Sequence, residues 1–526
     1  MFAPTLLHEY FSRTAKLYPH KEALICGEKR FTYSEIDRST DILSDALIQI
    51  GMKRQDKVVI FMDNVPEAVV SLYGILKAGG VFVLLNGTLK AKKLAHIFKN
   101  SEASVLITDT TKGKVVAEAF DDSGMNGKII WTGNNSAIPK GLLPISRTWD
   151  SFFSNSSCTD QNVKLTRTID NSRRCIDVDL AALIYTSGST GEPKGVMSSH
   201  FNMVSAARSI IQYLENTEKD IVLTVLPLSF DYGLYQVIMA FMYGGTVVLE
   251  KSFLYIHKVL ERIGQEGVTG FPVVPTILAM LLNLRDIKKY NFSSLRYMTN
   301  TGAALPAEHI RKFREFFPDV KFYSMFGLTE CKRVSYLPPE ELDKRPLSVG
   351  IPIPNCEVFI LDESGKEVEP GVTGELVIRG SNVMQGYWRD PELTAKYYRS
   401  GRYPGDRLLY SGDHFRRDEE GYLYFLGRKD DMIKSRGERI SPKEIENVIC
   451  QIPGVIEAAV IGVPDEIAGQ SIKAFVVCDK DANLTEKDIL KYCSDNLESF
   501  ALPKYVEFIE QLSKTPHGKI DKKALK

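Results

Sequence analysis

The chain lacks an excess of charge of either sign. Its 526 residues include 66 Lys and Arg against 66 Asp and Glu, so the formal net charge is zero. A balanced chain has no overall basic field that would attract nucleic acid or an anionic membrane surface. It also lacks an uninterrupted apolar run of about 20 residues, the length that a membrane-spanning helix needs. We therefore expect no nucleic-acid partner and no membrane span.

Cysteine and histidine patterns typical of disulfide scaffolds and zinc sites are also missing. The eight cysteines are scattered without a Cys-x-x-Cys pair, and the eight histidines form no His-Glu-x-x-His motif. Near the N-terminus, His8 and Glu9 interrupt the apolar core that a signal peptide would need. These absences predict a cytoplasmic protein in a reducing compartment.

The pattern of apolar residues predicts an α/β fold. Helix-like and strand-like segments alternate early in the chain, for example over residues 33–50, 58–62 and 66–78, as a mostly parallel, helix-covered sheet requires. Residues 109–178 are rich in Asp, Ser, Asn and Thr, and we interpret them as loops around short strands. From about Ser348, short runs separated by Gly, Pro and Asp indicate an antiparallel, barrel-like β module.

The length predicts three to four structural units. The last unit combines two helix candidates with short strands, which indicates a small α+β domain. The predicted domains are a large N-terminal domain of residues 1–429, with approximate subdomains 1–175, 176–345 and 346–429, and a C-terminal domain of residues 430–526.

The strongest local motif is YTSGSTGEPKG, residues 185–195, which follows a predicted strand. Glycines let successive N–H groups point into one concavity, and the hydroxyls and the lysine add donors and charge, as a polyphosphate requires. The P-loop rule fails, since Pro193 precedes Lys194 and Gly195 follows it. A Gly/Ser-rich surface turn is the alternative. The candidate nucleotide-binding residues here are Thr186, Ser187, Gly188, Ser189, Thr190, Gly191 and Lys194.

This motif resembles the signature of the adenylate-forming superfamily, which includes acyl- and aryl-CoA synthetases, peptide-synthetase adenylation domains and firefly luciferase. Further matches follow in the order found in that family. They are NTGAALP at 300–306, YSMFGLTE at 323–330, YSGD at 410–413, GRKDD at 427–431, IKSRGERI at 433–440 and KTPHGK at 514–519.

The resemblance implies a reaction with ATP and Mg²⁺ in which a carboxylic acid becomes an acyl-adenylate. A pantetheine thiol, of CoA or of a carrier protein, then accepts the acyl group. It implies a large domain and a small one that rotates about a hinge at Asp430, exposing Lys434 and Gly437 to the site in the thiol-accepting arrangement.

The resemblance also implies a role for each motif residue. Lys519 would be the catalytic cation, Glu330 the Mg²⁺ ligand and Thr329 an α-phosphate contact. Asp413, assisted by Arg428, would bind the ribose hydroxyls, although an Asx turn is the simpler reading of Asp413. The remaining implied ATP or AMP contacts are Gly302, Ala303, Ala304, Phe326, whose ring would stack on adenine, and Gly327.

The acid pocket is the least determined part of the sequence. Asp231, Tyr232 and Gly302 lie where relatives build it. Peptide-synthetase domains have Phe-Asp at this place, the aspartate pairing with the substrate amino group, whereas Asp231 as a helix cap is an equally available reading. Lys332 and Arg333 would either bind phosphates of the thiol donor or be surface charges.

A general acyl-CoA ligase is therefore our first hypothesis, and an enzyme that loads an amino acid onto a carrier protein is the alternative. A degenerate nucleotide-binding scaffold is disfavoured, because Lys194, Glu330, Asp413, Arg428 and Lys519 all stand together. A serine hydrolase is weaker still, since no Gly-x-Ser-x-Gly elbow occurs. A luciferase-like oxygenase would share the adenylation step, and the sequence does not indicate whether the protein reacts with oxygen.

Overall fold

The computed structural model describes residues 3–153, 173–187, 192–301, 307–428, 432–435, 438–465, 469–479, 482–497, 501–514 and 520–525. The strands of these parts are β1 (Glu22–Cys26), β2 (Lys29–Thr32), β3 (Lys57–Met62), β4 (Val81–Asn86), β5 (Ala103–Asp109), β6 (Lys128–Thr132), β7 (Ser146–Thr148), β8 (Leu180–Ser187), β9 (Pro193–Ser199), β10 (Ile221–Thr224), β11 (Thr246–Leu249), β12 (Gly270–Val273), β13 (Tyr297–Asn300), β14 (Lys321–Phe326), β15 (Ser335–Tyr336), β16 (Ile351–Pro352), β17 (Cys356–Leu361), β18 (Gly374–Gly380), β19 (Tyr398–Ser400), β20 (Arg407–Arg417), β21 (Leu423–Arg428), β22 (Ile433–Ser435), β23 (Glu438–Ile440), β24 (Val455–Asp465), β25 (Gly469–Cys478) and β26 (Tyr505–Phe508).

The helices of the same parts are α1 (Leu7–Leu17), α2 (Tyr33–Gln49), α3 (Pro66–Lys77), α4 (Ala91–Ser101), α5 (Gly113–Ser123), α6 (Trp149–Phe153), α7 (His200–Leu214), α8 (Asp231–Tyr243), α9 (Ile256–Gln265), α10 (Pro275–Leu282), α11 (Ala307–Phe316), α12 (Pro391–Tyr397), α13 (Pro442–Ile449) and α14 (Glu486–Asn496).

Local chemistry accounts for several of these boundaries. Helix α2 begins after Thr32, whose hydroxyl accepts from the Glu35 amide while the Glu35 carboxylate accepts from the Thr32 amide, a capping box. Helix α3 begins at Pro66, which tolerates the first helical position because the N–H there has no helical partner. The strand pattern over Val58 to Met62 is confirmed by β3, which is almost entirely buried.

Two large sheets dominate the N-terminal part. The seven-stranded sheet has the order β7-β6-β5-β3-β4-β8-β9 and is parallel except for β9. The nine-stranded sheet has the order β16-β15-β14-β13-β12-β10-β11-β1-β2, with its parallel part running from β14 to β1. A buried core that includes Phe11, Tyr73 and Phe241 joins helices from both sheets. The predicted helix-covered, mostly parallel architecture is confirmed.

The predicted antiparallel module is also confirmed. Strands β17, β18, β20 and β19 form one sheet, β21 pairs with β20, and all of these pairings are antiparallel. Its core includes Leu376, Ile378 and Phe415, and it extends to Val196 of β9 and Cys331 after β14. The module therefore packs directly against the ends of both large sheets.

The C-terminal strands form a separate sheet in the order β23-β22-β25-β24, with β26 parallel to β25. One face packs against α13 and α14 through residues such as Ile433 and Ile445. The other face packs Phe475 against Leu512 and Ile520. All described members of these two cores follow residue 432, but the domain boundary at Asp430 itself stays a prediction.

The prediction of loops around short strands over residues 109–178 was wrong at two helices, α5 and the short α6. Residues 113–123 form the helix α5, which buries Val116, Ala119 and Phe120 against the core of the seven-stranded sheet. Tertiary packing of this apolar face outweighs the weak helix propensity of its Gly and Asp residues. The strands β6 and β7 do follow in this region.

Candidate active site

Three parallel strands of the nine-stranded sheet bring the candidate site together. Asp231 follows β10, Thr301 follows β13, and Glu330 follows β14, so all three leave the carboxyl ends of strands at one edge. Ligands of open α/β sheets bind outside the carboxyl ends of the strands. The topology therefore assembles at this edge motifs that the sequence separates by about a hundred residues.

The predicted phosphate loop is the tip of a β-hairpin. Strands β8 and β9 pair antiparallel, placing Thr186 opposite Lys194 and Ser187 opposite Pro193. The imidazole Nε2 of His96 lies 3.2 Å from the Pro193 carbonyl oxygen. Residues 188–191, which complete the predicted loop, lie outside the described residues.

A segment that the sequence analysis missed, residues 384–388, links this hairpin to Glu330. Its Trp388 amide donates to the Gly195 carbonyl (2.7 Å), and its Gln385 amide donates to the Met197 carbonyl (2.9 Å). Its Met384 amide donates to the Glu330 carbonyl (2.9 Å). The one signal in the sequence is the aromatic pair Tyr387-Trp388 after a glycine.

Tyr387 also orients the Glu330 side chain, because its hydroxyl donates to Oε1 of Glu330 (2.7 Å). Burial, followed by the nearby Glu330 carboxylate, raises the pKa of Tyr387 well above its usual value, so the hydroxyl remains a donor. Among the described residues no hydrogen bond or ion pair occupies Oε2 of Glu330. A half-exposed carboxylate held at one oxygen fits Mg²⁺, which binds proteins through one or two carboxylates together with substrate phosphates.

Asp413 and Arg428 are direct cross-strand neighbours on β20 and β21. The Nε of Arg428 lies 3.1 Å from Oδ1 of Asp413, whose side chain is 2% exposed. Asp413 is thus a strand residue in an ion pair, and the Asx-turn reading was wrong. Its ribose-binding role stays a prediction.

Phe326, the last residue of β14, packs against the strands that carry Asp413 and Arg428. Its ring packs against Phe415 (4.9 Å between centroids, edge-on) and stacks against Phe425 (5.6 Å). Thr329 lies half-buried in the turn that follows. The aromatic cluster connects the turn that carries Glu330 to the strands of Asp413 and Arg428, whereas stacking of Phe326 on adenine stays a prediction.

The chain reverses tightly after Glu330. A Cβ on Gly327 would lie 2.3 Å from the Lys332 carbonyl oxygen, so this close approach requires glycine. Lys332 itself has φ +61°, in the left-handed region that non-glycine residues rarely occupy. The turn stores backbone strain beside the candidate site, a common property of functional positions.

The reversal buries two adjacent cations, Lys332 and Arg333, which are 3% and 2% exposed. The reading of these residues as surface charges was therefore wrong. The Nζ of Lys332 donates to the Asp231 carbonyl oxygen (2.8 Å) and lies 3.5 Å from its Oδ2. Helix α8 begins at Asp231 with Phe230 at the cap position, so the reading of Asp231 as the cap was also wrong.

Tyr232 packs against both cations. Its ring centroid lies 5.6 Å from Nζ of Lys332 and 5.3 Å from Cζ of Arg333, and its hydroxyl donates to the Thr299 carbonyl (2.9 Å). Arg333 Nη1 donates to the Thr301 hydroxyl (2.7 Å). The pocket residue predicted at 232 is thus fully buried against charged neighbours that no local pattern indicated.

Lys332 should make stability depend on pH. Burial lowers its pKa from the ordinary 10.5 to about 7, Asp231 opposes this decrease and Arg333 adds to it. Between about pH 7 and pH 10.5, Lys332 is protonated in the unfolded chain but largely neutral in the native protein. The free energy of unfolding therefore rises with pH over this range, by at most ~1.4 kcal/mol per pH unit.

Urea unfolding of the wild type and of Lys332→Met tests this expectation. The stability of the wild type relative to the variant should increase between about pH 7 and 9. A constant difference over this range would show that Lys332 keeps its proton and would contradict the expectation.

Several predicted site residues cannot be placed. Lys519, Asp430, Gly302, Ala303 and Ala304 lie outside the described residues, and Lys434 is described only as part of β22. The segment containing Lys519 is bracketed by an antiparallel bridge between Lys514 and Ile520. Their roles, like those of the other site residues, stay predictions.

The described residues hold no group of three or more His, Cys, Asp or Glu side chains arranged for a metal ion. None of the helices in the same residues has the length and apolar character needed to cross a bilayer.

Comparison with known proteins gives the family. Residues 11–388 match the model of AMP-binding enzymes, and residues 444–519 match the AMP-binding enzyme C-terminal domain. The chain belongs to the AMP-binding enzyme family.

Individual relatives agree with this assignment. The chain is 30% identical to a long-chain-fatty-acid–CoA ligase of Escherichia coli O157:H7, over 99% of this chain and 94% of that protein. It is 27% identical to tyrocidine synthase 1 of Brevibacillus parabrevis, over 99% of this chain but 44% of that protein. An anthranilate CoA ligase solved with anthranoyl-AMP superimposes with a TM-score of 0.87 at 26% identity, covering 99% of this chain and 97% of that one.

The protein is thus an ATP-dependent, AMP-forming acid–thiol ligase. It activates a carboxylic acid as an acyl-adenylate and transfers the acyl group to a thiol. The expectation from the sequence is confirmed at this level.

Proposed function

We propose that the nucleotide lies between the β8–β9 hairpin, the turn after β14 and the Asp413–Arg428 pair. The observation that carries this placement is the bridging segment 384–388, which hydrogen-bonds both to β9 and to Glu330. It holds the phosphate hairpin and the proposed metal ligand next to each other. Phe326, packed on Phe415 and Phe425, ties the same turn to the strands of Asp413 and Arg428.

In this arrangement the hairpin from Thr186 to Lys194 holds the β- and γ-phosphates, and Thr329 contacts the α-phosphate. Glu330 would hold the Mg²⁺ that accompanies ATP, and a bound Mg²⁺ would supply positive charge next to the phosphates. Asp413 offers carboxylate oxygens to the ribose hydroxyls. The Asp413 side chain is almost fully buried beside Arg428, whose side chain is 57% exposed. For Asp413 to reach the ribose, the Arg428 side chain has to move, and it then faces the nucleotide.

The chemistry has two displacements. A carboxylate oxygen of the acid attacks the α-phosphorus of ATP, the bond to the β-phosphate breaks, and pyrophosphate leaves. The thiolate sulfur then attacks the acyl carbon, and AMP leaves with the electron pair of the mixed anhydride. The protein contributes mainly positioning and charge stabilisation to the first step.

The two steps need different surroundings, and the two faces of the C-terminal sheet lie next to different candidate residues. The flanks of the Lys519 segment, through Leu512 and Ile520, pack on one face of this sheet, whereas Ile433, next to Lys434, packs on the other. We infer that the C-terminal domain, residues 430–526, rotates about Asp430 so that Lys519 serves adenylation and Lys434 serves thiol transfer. This alternation is hinge closure around one nucleotide.

For the acid, the pairing of Asp231 with Lys332 favours a general acyl-CoA ligase. An amino-acid substrate that used Asp231 would have to displace Lys332 from a carboxylate that Lys332 already neutralises. The match to tyrocidine synthase 1 keeps carrier-protein loading as the alternative. We propose a small carboxylic acid as substrate, CoA as the thiol and the cytoplasm as the location.

ATP–pyrophosphate exchange with fatty, aryl, amino and dicarboxylic acids tests this function. We expect exchange with an acid that has no amino group, and no selective loss of amino-acid exchange in Asp231→Ala. Asp220→Ala is the matched control, because it also removes the acid of a buried ion pair, with Arg296 (2.9 Å), away from the site. Amino-acid exchange in the wild type that disappears in Asp231→Ala alone would establish the loading enzyme instead.

A further inference from the structure

Arg333 is a buried cation whose charge is not neutralised by the described part of the chain. It is 2% exposed, and no carboxylate of the described residues forms an ion pair with it. Its Nη1 donates to the neutral Thr301 hydroxyl (2.7 Å), and its Nε, fully buried, has no hydrogen-bond partner among these residues. The guanidinium therefore retains both charge and donor capacity for a ligand.

The neighbouring charges do not supply this neutralisation. Asp231 is the nearby carboxylate, and Lys332 binds it through both the carbonyl oxygen (2.8 Å) and Oδ2 (3.5 Å). With two buried cations and one buried anion, the cluster Asp231–Lys332–Arg333 has one positive charge in excess when Lys332 is protonated. When Lys332 is neutral, the charges of Asp231 and Arg333 are separated across it.

Burial of an unpaired guanidinium is costly, since isolated charges lose their hydration and buried donors without partners cost free energy. The ring of Tyr232, 5.3 Å from Cζ, offsets a part of this cost as a cation–π contact. A ligand anion would offset far more. Buried polar groups without partners require an explanation, and a ligand at this edge of the sheet is a physical one.

The position of Arg333 separates it from the phosphate site. Glu330 and Arg333 come from the same turn but point to different neighbours. Glu330 contacts Tyr387 and the segment bound to the β8–β9 hairpin, whereas Arg333 contacts Thr301 and Tyr232, at the carboxyl ends of β13 and β10. A ligand that extends from the α-phosphate across this edge would reach Arg333 with its far end.

We propose that Arg333 binds a second anionic group of the acid substrate, so that the enzyme activates acids carrying one reacting carboxylate and one distal carboxylate or comparable anion. This inference rests on the proposed function and adds the substrate class to it. The reacting carboxylate lies toward Glu330 and the nucleotide, and the distal anion pairs with the guanidinium of Arg333, next to the ring of Tyr232.

The same geometry opposes the other ligands considered for these residues. A phosphate of the thiol donor would need an accessible cation, and both Lys332 and Arg333 are buried. A substrate ammonium group would meet Arg333, whose charge no carboxylate of the described residues pairs with. The unpaired donor of Arg333 thus selects an anion delivered inside the acid pocket.

Matched pairs of acids test the proposal without changing the protein. Isophthalate and its monoamide have nearly the same shape but differ by one charge, as do adipate and its monoamide, while 3-sulfobenzoate has a distal anion that cannot itself be adenylated. For each pair we measure kcat/KM for acid-dependent AMP formation in the wild type. Charge-assisted hydrogen bonds predict a preference of about 10- to 100-fold for the charged member.

Variants then assign the preference to Arg333. Arg333→Met should reduce the ratio of charged to neutral acid to about one or below, and Arg333→Lys, which keeps the charge, should restore a part of it. Arg262→Met is the matched control, because Arg262 is a buried arginine of α9, 3.6 Å from Glu250, outside the site. It should lower thermal stability and leave the ratio unchanged.

Two outcomes would overturn the subsite. The first is a preference of the wild-type enzyme for the neutral member of every pair. This measurement needs no variant, so it tests the subsite even if Arg333→Met fails to fold. The other is an Arg333→Met enzyme, still stabilised by ATP against heat, in which charged and neutral acids lose rate in equal proportion. Absence of exchange with every acid of every class would instead refute the proposed function.

Discussion

Replacing Lys519 by alanine should suppress acyl-adenylate formation by at least about 100- to 1,000-fold while leaving thiol transfer from preformed acyl-adenylate largely intact. The lysine would neutralise charge as the carboxylate approaches the α-phosphate, and removing one such stabilising group has effects of this size. The transfer step lacks this approach and should not need it. Rapid-quench measurements of each half-reaction, with acyl-adenylate supplied for the second, check the separation.

The C-terminal part of the chain offers a matched control and a reciprocal variant. Lys522 lies three residues beyond Lys519 but is anchored to Glu446 (2.6 Å), so Lys522→Ala should leave both steps running. Lys434→Ala should affect thiol transfer more than adenylation. Equal loss of both half-reactions in Lys519→Ala would contradict the division of roles and, with it, the proposed rotation about Asp430.

The Glu330→Gln variant should lower adenylation by about 100-fold or more and should raise the Mg²⁺ concentration that the remaining activity requires. Glutamine keeps the size of the side chain and can still accept from Tyr387, but it removes the charge that a hard cation binds. The measurement is pyrophosphate exchange as a function of Mg²⁺ at saturating ATP.

Glu340→Gln is the comparison for this experiment, because Glu340 is an exposed acid ten residues further along the chain. It should behave as the wild type. If Glu330→Gln needed no more Mg²⁺ than the wild type, Glu330 would not be the metal ligand, and its contact with Tyr387 would be purely structural.

Much of the fold could be predicted because its signals are local. The strand β3 and the helix α2 follow from β-branched runs and a capping box within a few residues of each other. The helix α5 could not, since its short apolar face over Val116, Ala119 and Phe120 becomes decisive only when the core beneath it exists. Periodicity identifies a face, but only the fold supplies what the face packs against.

The candidate site, like the fold, was predictable only where its signals are local. The motifs around Lys194, Glu330 and Asp413 could be recognised one by one, but their strands belong to three different sheets that only the fold brings into contact. The hydrogen bond from Tyr387 to Glu330 joins residues 57 positions apart, and the pair of Lys332 and Asp231 joins residues 101 positions apart. Contacts over such distances leave no trace in local composition.

The sequence by itself determined the class of reaction, because its ordered motifs, each written in contiguous residues, resemble those of the adenylate-forming superfamily. Only the tertiary structure decided how the acid pocket is charged. The tight reversal at Gly327 and Lys332 turns two hydrophilic residues inward, where Lys332 neutralises Asp231 and Arg333 does not find a carboxylate among the described residues. Burial removes this lysine and this arginine from the surface, and burial is a property of the packed fold.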